Sequence, residues 1–110
     1  MANTFKNKLE RQIGTSLTAI ESYTVPASTE TTVIGLTVSN TTAATIEVDV
    51  TVNDATNDYY VVKTAPVPSG GSLVVVGGDQ KLVLTTGDSV KIKSDTATSA
   101  DAVMSILEIT

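Results

Sequence analysis

Cysteine, histidine and tryptophan are all absent from the 110 residues. Without cysteine there is no disulfide and no thiolate metal site. Without histidine the commonest general base is missing, and so are the ligands of ordinary zinc, copper and haem centres. No cofactor is therefore expected. Aromatic rings are scarce: Phe5, Tyr23, Tyr59 and Tyr60 are the whole set, too few for a platform that stacks sugars or bases. Positive charge is scarce too. Seven Lys and Arg stand against twelve Asp and Glu, a net charge of −5 that excludes nucleic acid as an expected partner. No apolar run approaches the roughly 20 residues of a membrane helix, so no membrane partner is expected. The polar start, Met1 to Gln12, does not read as a signal peptide. The length fits one small domain.

What the chain does have is threonine, serine and valine. The β-branched members of that set suit a pleated, half-buried surface. Charged residues are only 17% of the chain. The strands are thus polar through hydroxyls more than through charge, and the composition is not that of a disordered tail.

The first 14 residues differ from the rest. Phe5, Leu9 and Ile13 recur every four residues, as on one face of a helix. Asn3 or Thr4 would cap its start and Gly14 its end. Lys6, Lys8 and Arg11 oppose Glu10 alone, a local charge of +2; the other four basic and eleven acidic residues give −7. A helix this short needs something to pack on. Three readings stay open: a helix docked on its own domain, an arm gripping a partner, or a disordered tail. The expected division is a basic amphipathic arm or short helix over 1–14 and a β-sandwich over 15–110.

From Leu17 onward the period becomes two. Ile46, Val48, Val50 and Val52 alternate with Thr45, Glu47, Asp49 and Thr51, a strand with one wet face. Ile34, Leu36 and Val38 repeat the pattern, with Asn40-Thr41-Thr42-Ala43 as a short hairpin connection. Val90 and Ile92 alternate with Lys91 and Lys93. Val103, Ser105, Leu107 and Ile109 share one face of the last strand, with Met104 and Ile106 on the other. Leu73 to Val76 reads as covered on both faces, between turns at Ser69–Gly71 and Gly77-Gly78-Asp79. Gly77 to Lys81 lacks the frame of a phosphate loop and reads as a tight hairpin. Tyr59 to Lys63 is a strand whose continuation through Pro66 and Pro68 is confined to an edge or a loop. Thr85–Asp88 is a turn. With a strand near Ser22–Val25, about eight short strands make an antiparallel sandwich or jelly roll. Its expected core includes Ile34, Leu36, Val38, Ile46, Val48, Val50, Leu73, Val75, Leu82, Val90, Ile92, Val103 and Leu107.

Candidate chemistry is thin. Glu47 and Asp49 face the same way, a spacing a glycosidase could use, but also that of a solvated sheet face. Asp54, Asn57 and Asp58 offer oxygens to a cation without matching the EF-hand spacing; turn chemistry accounts for them equally well. Tyr59 and Tyr60 place one ring on each sheet face, one for the core and one for a contact surface.

Several stretches resemble small virion structural proteins of tailed bacteriophages, including those infecting cyanobacteria. They are Met1 to Asn7 with Ile13 to Ser16, Tyr23 to Ala27, Thr32 to Leu36, Gly70 to Lys81, and Ser105 to Ile109. The resemblance spans nearly the whole chain and implies a particle component located in the virion, assembled in the host cytoplasm. It carries no functional residues over. Residues and resemblance together lead to a non-enzymatic decoration (cement) protein. Its partner would be the major capsid protein or another virion protein, and the chain is expected to be a homo-oligomer. A neck, tail or baseplate component and a receptor- or glycan-binding module are the alternatives. The expected partner-binding residues are Phe5, Lys6, Lys8, Leu9, Arg11 and Ile13, with Tyr59 and Tyr60 as a second surface. The strand reading of 45–52 predicts that Val48→Asp lowers stability by several kcal/mol, as an unpaired buried charge does. A denaturant titration showing unchanged stability would remove that strand.

Overall fold

Alternating β-branched residues extend the chain, because their side chains stand off both sides of a pleat without crowding a helical turn. The computed structural model describes residues 2–77 and 80–110. Within them lie nine strands: β1 (Asn3–Ile13), β2 (Thr18–Ala19), β3 (Glu30–Asn40), β4 (Ile46–Asn53), β5 (Asp58–Val67), β6 (Ser72–Val76), β7 (Leu82–Leu84), β8 (Ser89–Ser94) and β9 (Ala100–Ile109). One sheet has the order β1-β9-β3-β6, with β7 also beside β3; the other has the order β2-β8-β4-β5. All pairings are antiparallel. If β6 and β7 count as one interrupted strand, the two four-stranded layers have the connectivity of a jelly roll. The all-β sandwich expected from the sequence is what forms.

The segment 3–13 is a strand and not a helix. It pairs with β9 from Asn3 opposite Ile109 to Ile13 opposite Ala100. A spacing of four is also a multiple of two, so Phe5 and Leu9 share a strand face as readily as a helix face. Gln12, at φ 56°, breaks the register between Glu10 and Ile13, and Ile13 turns into the core.

Most connections cross from one sheet to the other. β3 and β4 are not the hairpin expected at Asn40–Ala43, because they lie in opposite sheets. The corner is held by buried Asn40. Its side-chain amide donates to the carbonyls of Ala44 (2.7 Å) and Val67 (2.8 Å), and its Oδ1 accepts from Thr42 N–H and Oγ1. Ser22–Val25 is not a strand. A single 3-10 turn at Ile20–Ser22 leads into an extended segment, where Val25 exchanges backbone bonds with Gly87 and Asp88. The Thr85–Asp88 turn is present, with Gly87 at φ 92°, and it carries the chain between sheets. The tight turn expected over Gly77–Lys81 includes Gly78 and Asp79, which lie outside the described residues. On either side of it, β6 and β7 run in line along β3.

The core contains Leu36, Val38, Ile46, Val48, Val50, Val90 and Ile92 as expected. It also takes Val33, Ile106, Met104, Val76, Leu84, Ile20 and Val67. Bulges explain the exchange. β3 has one extra residue between Val33 and Gly35, so Val33 faces inward with Leu36, and Ile34 is only half-buried. A second shift, between Leu36–Val76 and Thr37–Val74, leaves Val75 half-buried and Val74 outside. β6 therefore has one open face, not two covered ones; Leu73 and Leu82 are also half-buried. In β9 the inward face is Ala102, Met104, Ile106 and Glu108, so Val103 is exposed and Leu107 half-buried.

One inward position of β9 is charged. Glu108 is 5% exposed. Its Oε1 lies 2.8 Å from Lys6 Nζ, and its Oε2 accepts from Tyr23 Oη at 2.6 Å. Tyr23 Oη also lies 2.8 Å from Thr31 Oγ1. The Lys6 hydrogen bond, with that of Tyr23, holds the Glu108 carboxyl below its ordinary value. Burial, reinforced by Glu108, pushes the Tyr23 hydroxyl up to about 12. A carboxyl more acidic in the folded than in the unfolded chain stabilises the fold above its unfolded pKa. That contribution fades as pH falls through the ordinary carboxylate range towards the lowered value. Glu108→Gln is expected to flatten the acid limb of a melting-temperature profile while leaving a folded protein; an identical acid limb would refute this role.

Candidate interaction surface

The two outer faces of the sandwich differ chemically. On the four-stranded sheet, Glu47, Asp49 and Thr51 of β4 stand between Lys91 and Lys93 of β8 and Tyr60 and Lys63 of β5. A cleft of about 350 Å³ lies here, lined by Thr15, Glu47, Asp49, Lys63, Thr64, Lys93, Ser94 and Asp95. It contains the carboxylate pair noted in the sequence. Asp49, however, is 7% exposed and engaged in holding the fold. Its Oδ1 accepts the N–H of Thr64 at 2.7 Å, and its Oδ2 lies 3.7 Å from Lys93 Nζ. Thr64 has φ 56° and sits in a bulge where β5 places Lys63 and Thr64 between its pairings at Val62 and Ala65. Asp49 thus caps a β-bulge, a role no short-range signal in the sequence marks.

Asp54 and Asp58 are likewise occupied by the β4–β5 hairpin. Asp54 Oδ1 accepts from the N–H groups of Thr56 and Asn57, and its Oδ2 accepts from Tyr59 Oη at 3.1 Å. Asp58 Oδ1 accepts from Thr51 Oγ1 and Asn53 Nδ2. These hydrogen bonds lower both carboxyl pKa values. Tyr59 and Tyr60 do lie on opposite faces, opposite Val52 and Thr51. Neither ring is core: both are about half exposed, because β5 is an edge strand. Lys63 Nζ lies 4.6 Å from the centroid of Tyr60. The cleft of about 460 Å³ beside Ser28–Glu30, Thr85, Thr86, Ile109 and Thr110 is lined by one acidic side chain, Glu30.

The outer face of the five-stranded sheet is built differently. Register assembles two rows across it. One is Leu9–Val103–Thr37–Val74, and the other is Phe5–Leu107–Thr32–Val83. Phe5 is 74% exposed, Val83 69% and Val74 63%; Leu9 and Val103 are about half exposed. Between the rows run Asn7, Ser105 and Gly35. Neither row nor this trough contains a charged residue. Charge resumes at Arg11 and Asp101 at one end, at Glu30 at the other, and at Lys81, two residues before Val83. Apolar exposure this concentrated makes the face the candidate contact surface.

The edge of this sheet is open as well. Ala2 and Thr110 exchange backbone bonds (3.2 and 2.9 Å), so even-numbered residues of β1 point their backbone groups at β9. Those of Asn3, Phe5, Asn7 and Leu9 point away, and Glu21 Oε1 accepts the Leu9 N–H at 2.9 Å.

Of the expected partner-binding residues, Phe5 and Leu9 share the apolar face and Arg11 is exposed at its end. Ile13, 3% exposed, belongs to the core and not to this surface. Lys6 is bound to Glu108; Lys8 lies 3.6 Å from Glu21 Oε2 and 4.9 Å from the centroid of the Tyr23 ring. Both point to the inner side of β1, so their charge is used within the chain. Val74, Val83 and Val103 escaped sequence reasoning, because two bulges and the inverted phase of β9 decide their side.

No protein-family model matches the chain, and no curated protein matches its sequence. Solved structures do match in fold. A chain from the work describing Bacillus endospore appendages as a novel family of disulfide-linked pili is 14% identical, with a TM-score of 0.58 over 98% of this chain and 88% of that one. A chain of the acidic stable capsid structure of Helicobacter pylori bacteriophage KHP30 is 11% identical, with a TM-score of 0.58 over 100% of this chain and 89% of that one. Among the described residues, no helix is long and apolar enough to cross a membrane.

Capping of the bulge predicts unequal effects at the two carboxylates. Asp49→Ala leaves the Thr64 N–H without its acceptor and is expected to cost about 1–3 kcal/mol. Glu47→Ala, at an exposed position, is expected to stay within about 0.5 kcal/mol. Equal losses in urea titrations would remove the structural role of Asp49.

Proposed function

We infer that this chain is a non-enzymatic structural subunit of a virion, and within that class a decoration protein that bridges neighbouring subunits of the capsid shell. The observation that carries the reading is the pair of uncharged, largely apolar rows on the outer face of the five-stranded sheet. A jelly roll with one such face is suited to lasting contact with other proteins, while Asp49 of its carboxylate pair is engaged in capping a bulge. The resemblance to small virion proteins of tailed bacteriophages supports the same class, as does the fold shared with a chain of a phage capsid structure. The endospore pili are described as disulfide-linked; this chain has no cysteine, which favours the virion over that kind of fibre.

The docking residues are then Phe5 and Leu9 together with Val74, Val83 and Val103. Arg11 acts at the rim, where charges chiefly tune encounter rate and salt dependence. Lys6 and Lys8 support β1 from its inner side. The partner on this face is the major capsid protein or another subunit of the virion, a further copy of this chain included. In co-sedimentation with particles lacking this chain, Leu9→Glu with Val103→Glu is expected to weaken binding by about tenfold or more. Tyr60→Ala should bind as the parent does. Undiminished binding by the double variant, with loss in Tyr60→Ala, would overturn the apolar face in favour of the tyrosine edge. A stoichiometry of only a few copies per particle would shift the location to neck or tail.

A further inference from the structure

The apolar face is large enough, and its relief regular enough, to specify its occupant. We propose that it is covered by a second copy of this chain, related by a twofold axis lying between the two faces. The inference rests on the reading of this face as an assembly contact and names what meets it.

Three observations point to self-pairing. The first is charge. The chain carries −5 overall, so bringing most surfaces of two copies together juxtaposes carboxylates. The two rows and the trough between them carry none; Arg11, Asp101 and Glu30 sit at the ends, and Lys81, two residues before Val83, sits beside the start of β7. The opposite sheet is the contrasting case, since Glu47, Asp49, Lys63, Lys91 and Lys93 occupy its outer face. Pairing through that sheet would desolvate them.

The second observation is relief. The Leu9–Val103–Thr37–Val74 row forms a ridge beside the trough of Asn7, Ser105 and Gly35. Ser105 and Gly35 are the two smallest positions of the face. Two such sheets packed about 10 Å apart can seat the ridge of each copy in the trough of the other. That arrangement is isologous: ridge meets trough twice, related by the axis. The third is size. Four strand columns about 4.8 Å apart and about ten residues long make a face of about 600 Å² per copy. The pair then buries about 1,200 Å², the lower bound for a specific interface. Pairing also supplies what bridging requires, because a twofold unit presents each remaining surface twice.

Sedimentation velocity of the purified full chain over a dilution series tests the proposal. The parent is expected to be a dimer that dissociates on dilution. Val103→Glu on the ridge and Ser105→Glu in the trough should each weaken it by about tenfold or more. Glu47→Lys, on the opposite sheet, should leave the dimer intact. Melting temperatures check that each variant is folded. Val103→Asn and Ser105→Asn, which add bulk without charge, provide the same comparison should a glutamate variant fail to fold. A parent that stays monomeric, or a dimer untouched by ridge and trough changes, overturns the proposal. Co-sedimentation of the same variants with particles separates the two failures. A monomer whose particle binding is lost with Val103→Glu leaves the face to a virion partner. A monomer whose particle binding survives every face variant removes the assembly contact too.

Discussion

The outer face of the five-stranded sheet depends on the placement of β9 between β1 and β3. β9 carries Met104, Ile106 and Glu108 inward and Val103, Ser105 and Leu107 outward. Each of its partners must match that phase, since a slip of one residue would send the inward set to solvent. β1 matches it without interruption from Asn3 to Glu10, which puts Phe5 and Leu9 beside Leu107 and Val103. β3 matches it only by taking an extra residue at Ile34. The apolar face is therefore a product of register, assembled from strands far apart in sequence.

The inward side of β1 shows why positive charge gathered there does not form a basic docking strip. Lys6 and Lys8 are drawn to carboxylates of their own chain, Glu108 and Glu21. Glu108 is buried, so an unpartnered carboxylate at that position would be costly; Lys6, Tyr23 and the hydrogen-bonded Thr31 make it tolerable. Inward-pointing charge on an edge strand also discourages indiscriminate strand pairing. The same residues that tie β1 down leave its other face free of charge from Asn3 to Leu9.

A jelly roll closes its two sheets with crossing connections, so its loops and corners carry much of the local polar chemistry. Asn40 at the β3–β4 corner and Asp49 opposite the β5 bulge each satisfy backbone groups that the ladders leave open. Asp49 offers a candidate carboxylate in the bare sequence and is structural in the fold. The apolar rows of the other sheet, by contrast, contain no charged side chain.

The sequence by itself determined the strand class. β-Branched alternation, absent cysteine and histidine, and proline at 66 and 68 established a β-sandwich without thiolate or imidazole chemistry, with the segment through the prolines confined to an edge or a loop, because these are local properties of residues. The core positions of β4 and β8 were legible for the same reason: Val48, Val50, Val90 and Ile92 lie in uninterrupted period-two runs. Tertiary structure decided the rest. Whether 3–13 was helix or strand could not be read from Phe5, Leu9 and Ile13, since a spacing of four satisfies both periods. Which side Ile34, Val74 and Val103 face depends on bulges and on partner strands distant in the chain. A strand has two faces, and alternation alone does not say which one the other sheet will cover.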